Sequence, residues 1–596
     1  MLTATEETRE LSCVEEQAHV FGGMTQNGNV PFPLLRLGET ARVATHMIRI
    51  ASVTEGVRKG GMLLVLPAVV ILVAAGLRNA RGPAWLACSD PDYVYLLNGA
   101  LIASGDVAPY SDHPGTTLHL VHGAAIAVVH SLCGGGSITE DVLRRPEFYL
   151  DALNGIWILL VSLGSLCAGL AIFRRTGSLW LAVLVQMTPF LSAANVQALY
   201  RVNPEPAMLG LGQVVLALVF WGRPEWVHSW RRPVWAAAIG TLAGLGVGMK
   251  LTFLPVLIVA AVAVEGLAYQ ALCLVVAASV FGILVYCPCV GTGEYIFKFG
   301  GMVLRGTGQY AGAGGGTMTW GTFLDTMQAW GLRVVAAEWP ILLVVAGGVA
   351  VLVSRLLTPR LEPADRERRW QVRTLAVLVC AELLQVALAA KGLNMAIRYL
   401  VPAWSLVGGT LVLSVLVSAE LRPDWRRRLR GRITLVLIAV AMTGAAVRLL
   451  ACGKELGAGC ESGLAASRRL ALEFPNSRVV QYAGAPSVER ALEFGNNWAW
   501  KLLSDDLTRV YPKYVFFNLD SGWLENFSGT VDPAAVFDGT SDVLLWGGAE
   551  PRLETCRWTR QLFAVNNQYV YRVDPGIVSI LPPPLSSPPA PIQGNP

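Results

Sequence analysis

Apolar runs of about 17–25 residues, the length of a bilayer-crossing helix, recur along most of this chain. They lie near 62–78, 117–133, 151–173, 179–199, 205–221, 233–249, 251–268, 271–288, 340–357, 374–390, 399–418 and 433–450. Inside hydrocarbon each backbone amide needs a partner within its own segment, so such runs are helices rather than open strands. The alternating pattern of a membrane barrel is absent. Composition agrees: 15% of the 596 residues are charged, against roughly 25% in soluble domains. The net charge of +5 is carried mainly in loops. It does not form the continuous basic face of a nucleic-acid binder.

Arginine placement sets orientation. The stretches Arg355–Arg373 and Arg422–Arg432 hold six arginines each and are expected to be cytoplasmic, as is Arg223–Arg232. Residues 452–575, the loop 289–339, the loop 79–116 and the stretch Arg201–Glu205 then fall outside. Residues 1–60 are polar, show no cleavable signal peptide, and read as a partly disordered cytoplasmic tail. An inside N-terminus and an outside C-terminal region require an odd number of spans, whereas twelve runs are visible. Arg174 and Arg175 also prefer the inside, so either 117–133, with its three histidines, does not fully cross or a further helix lies hidden in the pattern. The expectation is eleven to thirteen spans over 61–451.

Past Cys452 the apolar runs shorten to strand length, in SRVVQYAG, KYVFFNLD, DVLLWGG and QYVYRV. Helical patterns lie between them near 462–474 and 487–504. Strands alternating with helices suggest a small α/β domain. The proline-rich end, 576–596, reads as disordered. The eleven cysteines include no CxxC pair. Cys287 and Cys289 read as buried or interfacial thiols. A disulfide among Cys452, Cys460 and Cys556 is open if that region is extracytoplasmic. The fold class is therefore an α-helical polytopic membrane protein with a small C-terminal extracytoplasmic α/β domain.

This topology gathers ionisable residues on one face. Asp90, Asp92, Asp106, Asp112 and His113 follow the first run, in SDPDY, GD and YSDHPG. Arg201 and Glu205 lie in LYRVNPEPAML. Lys250 interrupts LGVGMKLTFLP. Arg305 and Tyr310 lie in a glycine-rich stretch. Lys391 and Arg398 lie in AAKGLNMAIRYLVPA. Each has a bland reading: Lys250 as a snorkelling side chain, Arg398 with Tyr399 as an interfacial anchor, the acids as a solvated linker. Their coincidence on one side favours a site, because ionisable groups at membrane depth are costly and tend to line cavities. Acids and bases at headgroup level suit a lipid-linked sugar. Cations offset its phosphate as the glycosyl bond breaks, and a carboxylate takes the proton of the acceptor hydroxyl.

These motifs, in this order, resemble the GT-C glycosyltransferases, in particular the protein mannosyltransferase and aminoarabinose transferase-like group. SDPDY matches the acidic motif after the first span. LLNGALIASGD matches the helical stretch ending in Gly-Asp, and YSDHPG, Tyr110 to Gly115, the acid-base element. LGVGMKLTFLP and AIRYLVPA match two later elements. The resemblance covers roughly 60–450. It implies inverting transfer from a polyprenyl-phosphate sugar to a hydroxyl on a glycan, lipid or protein, with no nucleic-acid partner. Asp90 falls on the catalytic aspartate, with Asp92 the competing position. Lys250, Arg398, Arg201 and His113 fall on donor-phosphate binding, and Asp112, Tyr110, Arg305, Tyr310 and Glu205 on substrate binding. Histidine stands at 113 where relatives carry lysine, so its charge depends on pH. No metal site is assigned, although a divalent cation, Mg or Mn, between Asp90 and Asp92 stays open. A bacterial inner membrane is the expected location. The rival readings are a transporter, for which only Glu382 is a plausible mid-span acid, a lipid-glycan polymerase or ligase, and a non-catalytic protein with an exterior binding module.

Overall fold

The structure is a computed structural model. It describes residues 60–573 except 88–90, 111–114, 223–229, 288–300, 302–319, 358–365, 392–396, 422–425, 483, 519–522, 538–541, 549–558 and 566–567. The chain opens with α1 (Val65–Arg81), α2 (Asp92–Ala103), α3 (Thr116–Cys133), α4 (Ile138–Arg144) and α5 (Pro146–Thr176). There follow α6 (Leu179–Gln186), α7 (Ala193–Ala198), α8 (Pro204–Trp221), α9 (Arg231–Met249), α10 (Leu254–Ala263) and α11 (Leu267–Val285). The helical part ends with α12 (Trp320–Leu356), α13 (Arg366–Lys391), α14 (Val401–Trp404), α15 (Val407–Leu421) and α16 (Arg426–Glu473).

All twelve apolar runs are helical, in one piece or several. Among the described residues, eight helices are long and apolar enough to cross a membrane. The number is nine if the pair Ile397–Trp404 and Val407–Ala419, bent by 47°, is one span. That is fewer than the eleven to thirteen read from hydropathy, and the shortfall has local causes. Run 179–199 breaks into α6, a 3₁₀ turn at Thr188–Phe190 and α7, because Pro189 cannot donate to a continuing helix. Run 251–268 yields only the ten residues of α10. Helix α9 is long enough, but two leading arginines and four glycines dilute it. Conversely, the expected loop 289–339 is helical from Trp320 onward, with a break at Glu338 just before Pro340.

Burial separates the helices by role. In α8 83% of the apolar window is buried, against 11% in α16, so α8 is central and α16 faces lipid. Close helix contact is built from small residues. In α9, Gly240 faces the Cys273 carbonyl of α11, and a Cβ at Gly244 would stand 2.6 Å from the Ala277 carbonyl oxygen. Gly240 and Gly244 are a GxxxG pair, which lets backbones approach closely. Gly244→Ala is expected to force α9 and α11 apart at a cost of about 1–3 kcal/mol, the usual range for overpacking. A lowered melting temperature of the detergent-solubilised chain checks this; an unchanged one rejects the tight packing.

The last span does not stop at the bilayer. Helix α16 has 48 residues and is therefore about 72 Å long, more than twice a hydrocarbon core. Its far end carries the α/β domain, made of β1 (Arg478–Gln481), α17 (Val488–Trp498), α18 (Ser504–Val510), β2 (Phe516–Asn518), β3 (Trp523–Asn526), β4 (Gly529–Thr530), α19 (Pro533–Val536), β5 (Val543–Gly547), β6 (Thr559–Val565) and β7 (Gln568–Val573). The sheet order is β4-β3-β2-β1-β5-β7-β6. Strand β1 pairs parallel with β2 and β5, and the remaining pairs are antiparallel. Ala466 and Leu470 of α16 pack with Leu544, Trp546, Phe563 and Val570 on one face. Val480, Tyr482, Val515 and Leu545 form a second cluster. Cys452 and Cys460 are free, which corrects a disulfide between them. Both sit on the one helix α16, eight residues and so about 12 Å apart, beyond disulfide reach. Cys556 lies outside the described residues.

Candidate active site at the span ends

Helix α1 ends in a turn bearing Arg78 and Arg81, and Gly82 closes it at φ 68°, a left-handed conformation suited to glycine. The guanidinium of Arg81 is thereby aimed at the start of α2. Its Nη2 donates to Asp92 Oδ2 at 2.6 Å and its Nη1 to Asp92 Oδ1 at 3.4 Å. Nη1 also donates to the Tyr200 carbonyl at 3.0 Å. Asp92 Oδ1 accepts the Val202 amide at 2.6 Å. Asp92 and Arg81 are both buried. One ion pair thus ties the end of α1, the start of α2 and the turn before α8. Burial alone would raise the Asp92 carboxyl. The charge and hydrogen bond of Arg81, the charge of Arg201 and the Val202 amide outweigh it and hold the group below its ordinary 3.8.

Three residues beyond Val202 stands Glu205, in the first turn of α8 behind Pro204. Its Oε1 accepts from Lys250 Nζ at 2.6 Å, with side chains 2% and 4% exposed. Lys250 is the cap residue of α9, in extended conformation at φ −162° and ψ 133°. The lone lysine thus sits where the apolar run breaks. Each charge is matched to its helix end: an acid at an N-terminus, a cation at a C-terminus. Lys250 Nζ also lies 4.0 Å from the centre of the Tyr399 ring, a cation–π distance. Arg398 follows the same ring at 5.7 Å, and its charge acts on Glu205. Gln385 of α13 holds this turn by donating to the Tyr399 carbonyl at 2.6 Å.

Arg201 is half-buried between the two clusters. Its carbonyl accepts from Asn154 and its guanidinium lies 5.9 Å from the Tyr200 ring. A cavity of about 470 Å³ opens beside it, lined among others by Arg81, Arg201, Tyr200, Arg448 and Glu455. Tyr110 donates its amide to Asn98 Oδ1 and accepts at its carbonyl from His119 Nε2 at 2.9 Å. Its ring meets Tyr95, His119 and, at 5.5 Å, Trp498 of the C-terminal domain. Glu382 is buried in α13 and accepts from Thr410 at 2.7 Å. Asp90, Asp112, His113, Arg305 and Tyr310 lie outside the described residues, and Lys391 is described only as the last residue of α13.

The structure therefore brings Lys250 and Arg398 to the Tyr399 ring, pairs Glu205 with Lys250, and joins Asp92 to the 200–205 segment that carries Arg201 and Glu205. Arg81 is absent from the sequence candidates. An arginine in the last turn of a span ordinarily marks the headgroup level, and nothing local announces its buried partner. A divalent cation does not fit at Asp92, whose carboxylate is already matched by a guanidinium 2.6 Å away.

No family model matches the chain, and no curated protein sequence does. Solved structures similar to it include two of one protein. One is "Crystal Structure of ArnT from Cupriavidus metallidurans bound to Undecaprenyl phosphate", at 14% identity and a TM-score of 0.49. The match covers 86% of this chain and 98% of that one. The other is the same protein in the apo state, also at 14% identity and a TM-score of 0.49, covering 88% of this chain and 99% of that one.

Proposed function

We propose that the chain is an inverting glycosyltransferase that moves a sugar from a polyprenyl-phosphate donor to a hydroxyl acceptor on the extracytoplasmic side of the membrane. One observation supports this most. The acidic first loop and the cationic groups of distant helices meet on one short segment, since Val202 is held by Asp92 and Glu205 by Lys250. Three residues span at most about 11 Å of chain, so with the two side-chain contacts Asp92 and Lys250 lie within roughly 20 Å, the reach of one lipid-phosphate sugar.

In this reading Asp90 takes the proton of the acceptor hydroxyl as its oxygen attacks the anomeric carbon. The bond to the donor phosphate breaks, and the lipid phosphate leaves with its electrons. Lys250, Arg398 and Arg201 offset the charge that develops on it, and His113 adds to them when protonated. Glu205 holds the Lys250 ammonium in place, and Asp112, Tyr110, Arg305 and Tyr310 contact the substrates. Asp92, neutralised by Arg81, positions the loop rather than taking the proton.

Asp90→Asn tests the assignment. It is expected to cut sugar transfer by about 10²–10⁴-fold, the usual contribution of a general base, with the melting temperature unchanged. In a cell deleted for the gene, profiling of envelope glycans by mass spectrometry should show one sugar missing. The wild-type chain should restore it and the variant should not. Restoration by Asp90→Asn would overturn the mechanism.

A further inference from the structure

The turn after α17 carries two adjacent non-glycine residues in the left-handed region, Trp500 at φ 51° and Lys501 at φ 59°. Among the described residues these are the only such cases. Left-handed backbone costs free energy in residues with a Cβ, and the turn is held to it. The Lys501 amide donates to the Asn496 carbonyl at 2.8 Å, and the Leu503 amide to Asn496 Oδ1 at 3.1 Å. Asn496 Nδ2 donates in turn to Ser504 Oγ at 3.1 Å. The result is a sorted surface. Ala499 and Leu503 are buried in a cluster with Tyr93, Leu96 and Leu97 of α2. Trp500 and Leu502 point outward, 65% and 56% exposed, on either side of exposed Lys501.

The height of this turn above the membrane can be read from its neighbours. Arg78, in the last turn of the span Gly60–Arg81, donates to Glu147, which also accepts from the Tyr93 hydroxyl, and Gly495 of α17 packs on the Tyr93 backbone. Trp498 packs on the Tyr110 ring. Trp500 and Leu502 follow Trp498 by two and four residues, so they lie within about 7 and 14 Å of it along the chain. Tryptophan, aliphatic and lysine side chains at this level are the composition of a membrane interface.

We infer that the Trp500–Leu502 turn is a membrane-contacting wedge. Trp500 and Leu502 enter the headgroup layer beside α2, and Lys501 pairs with an anionic lipid phosphate. The C-terminal domain, already held by α16 and by its packing on α2, then gains a direct contact with the bilayer. The inference does not depend on sugar transfer.

The test places the photoreactive residue benzoylphenylalanine at 500, at 502 or at 472 in the full-length chain, held in nanodiscs of phosphatidylcholine and phosphatidylglycerol. Leu472 is a matched control. It is 82% exposed, but it lies 38 residues along the helix from Thr434, where the last span begins. At 1.5 Å per residue that is about 57 Å, well beyond a bilayer core of about 30 Å. After irradiation, intact-mass measurement is expected to show lipid adducts at 500 and 502 and none at 472. Lys501→Glu is expected to lower the phosphatidylglycerol share of those adducts at least two-fold. Adducts to a second protein chain, or no more lipid at 500 and 502 than at 472, overturn the inference. An unchanged lipid ratio in Lys501→Glu overturns the role of Lys501.

Discussion

Lys250→Met is expected to destabilise the chain by about 3–5 kcal/mol, because it leaves Glu205 charged, buried and unpaired. Glu205→Leu should do the same from the other side, leaving the ammonium against the Tyr399 ring. The double variant Glu205→Leu/Lys250→Met is expected to recover most of this loss, since replacing a buried ion pair by apolar groups of similar volume is often neutral or stabilising. The non-additivity, read from melting curves or denaturant titration, measures the pair directly. Activity separates the two roles of Lys250. If its ammonium offsets the leaving phosphate, the double variant regains stability but not sugar transfer. A stable double variant with wild-type transfer would reduce Lys250 to a structural residue and remove the strongest cation from the proposed mechanism.

How much of this the sequence discloses depends on range. Lys250 stands out because a lone charge in an apolar run must have a reason, and Glu205 because it follows Pro204 at a helix start. Their pairing is less visible, because 45 residues and two helices separate them. Arg81 looks like any arginine at a span end, and its partners Asp92 and Tyr200 are set by tertiary packing. The C-terminal strands divide the same way. Strands β1, β2, β5 and β7 carry the apolar runs that mark them. Strand β4 is only two residues long, and β3 (WLEN) and β6 (TRQLFAV) mix apolar with polar residues in short stretches that pass for loop. Hydropathy reports where a helix leaves lipid, not where it ends. Thus α16 continues through the polar CGKELGAGCESGLAASRRLALE, where the apolar signal has stopped.

The Arg81–Asp92 pair should be as costly to break, and its variants distinguish charge from hydrogen bonding. Asp92→Asn is nearly isosteric and keeps an oxygen to accept the Val202 amide, but it leaves the buried Arg81 guanidinium unneutralised, at an expected cost of about 3–5 kcal/mol. Asp92→Ala loses the amide acceptor as well and should be worse. Arg81→Lys keeps the charge, yet a single ammonium cannot reproduce the planar fork that reaches both Asp92 oxygens and the Tyr200 carbonyl, so it should rescue only part. The pH dependence has a definite sign. The Asp92 carboxyl is held below 3.8 in the folded chain, so its stabilisation is present above that value and lost as pH falls through the lower folded one. The gap in melting temperature between wild type and Asp92→Asn should therefore be full at pH 7 and close below about pH 3.8. Transfer should fall in Asp92→Asn along with stability, because α2 and the acidic loop before it lose their tether. If Asp92→Asn instead abolished transfer with the melting temperature intact, Asp92 would be the proton acceptor and Asp90 would not.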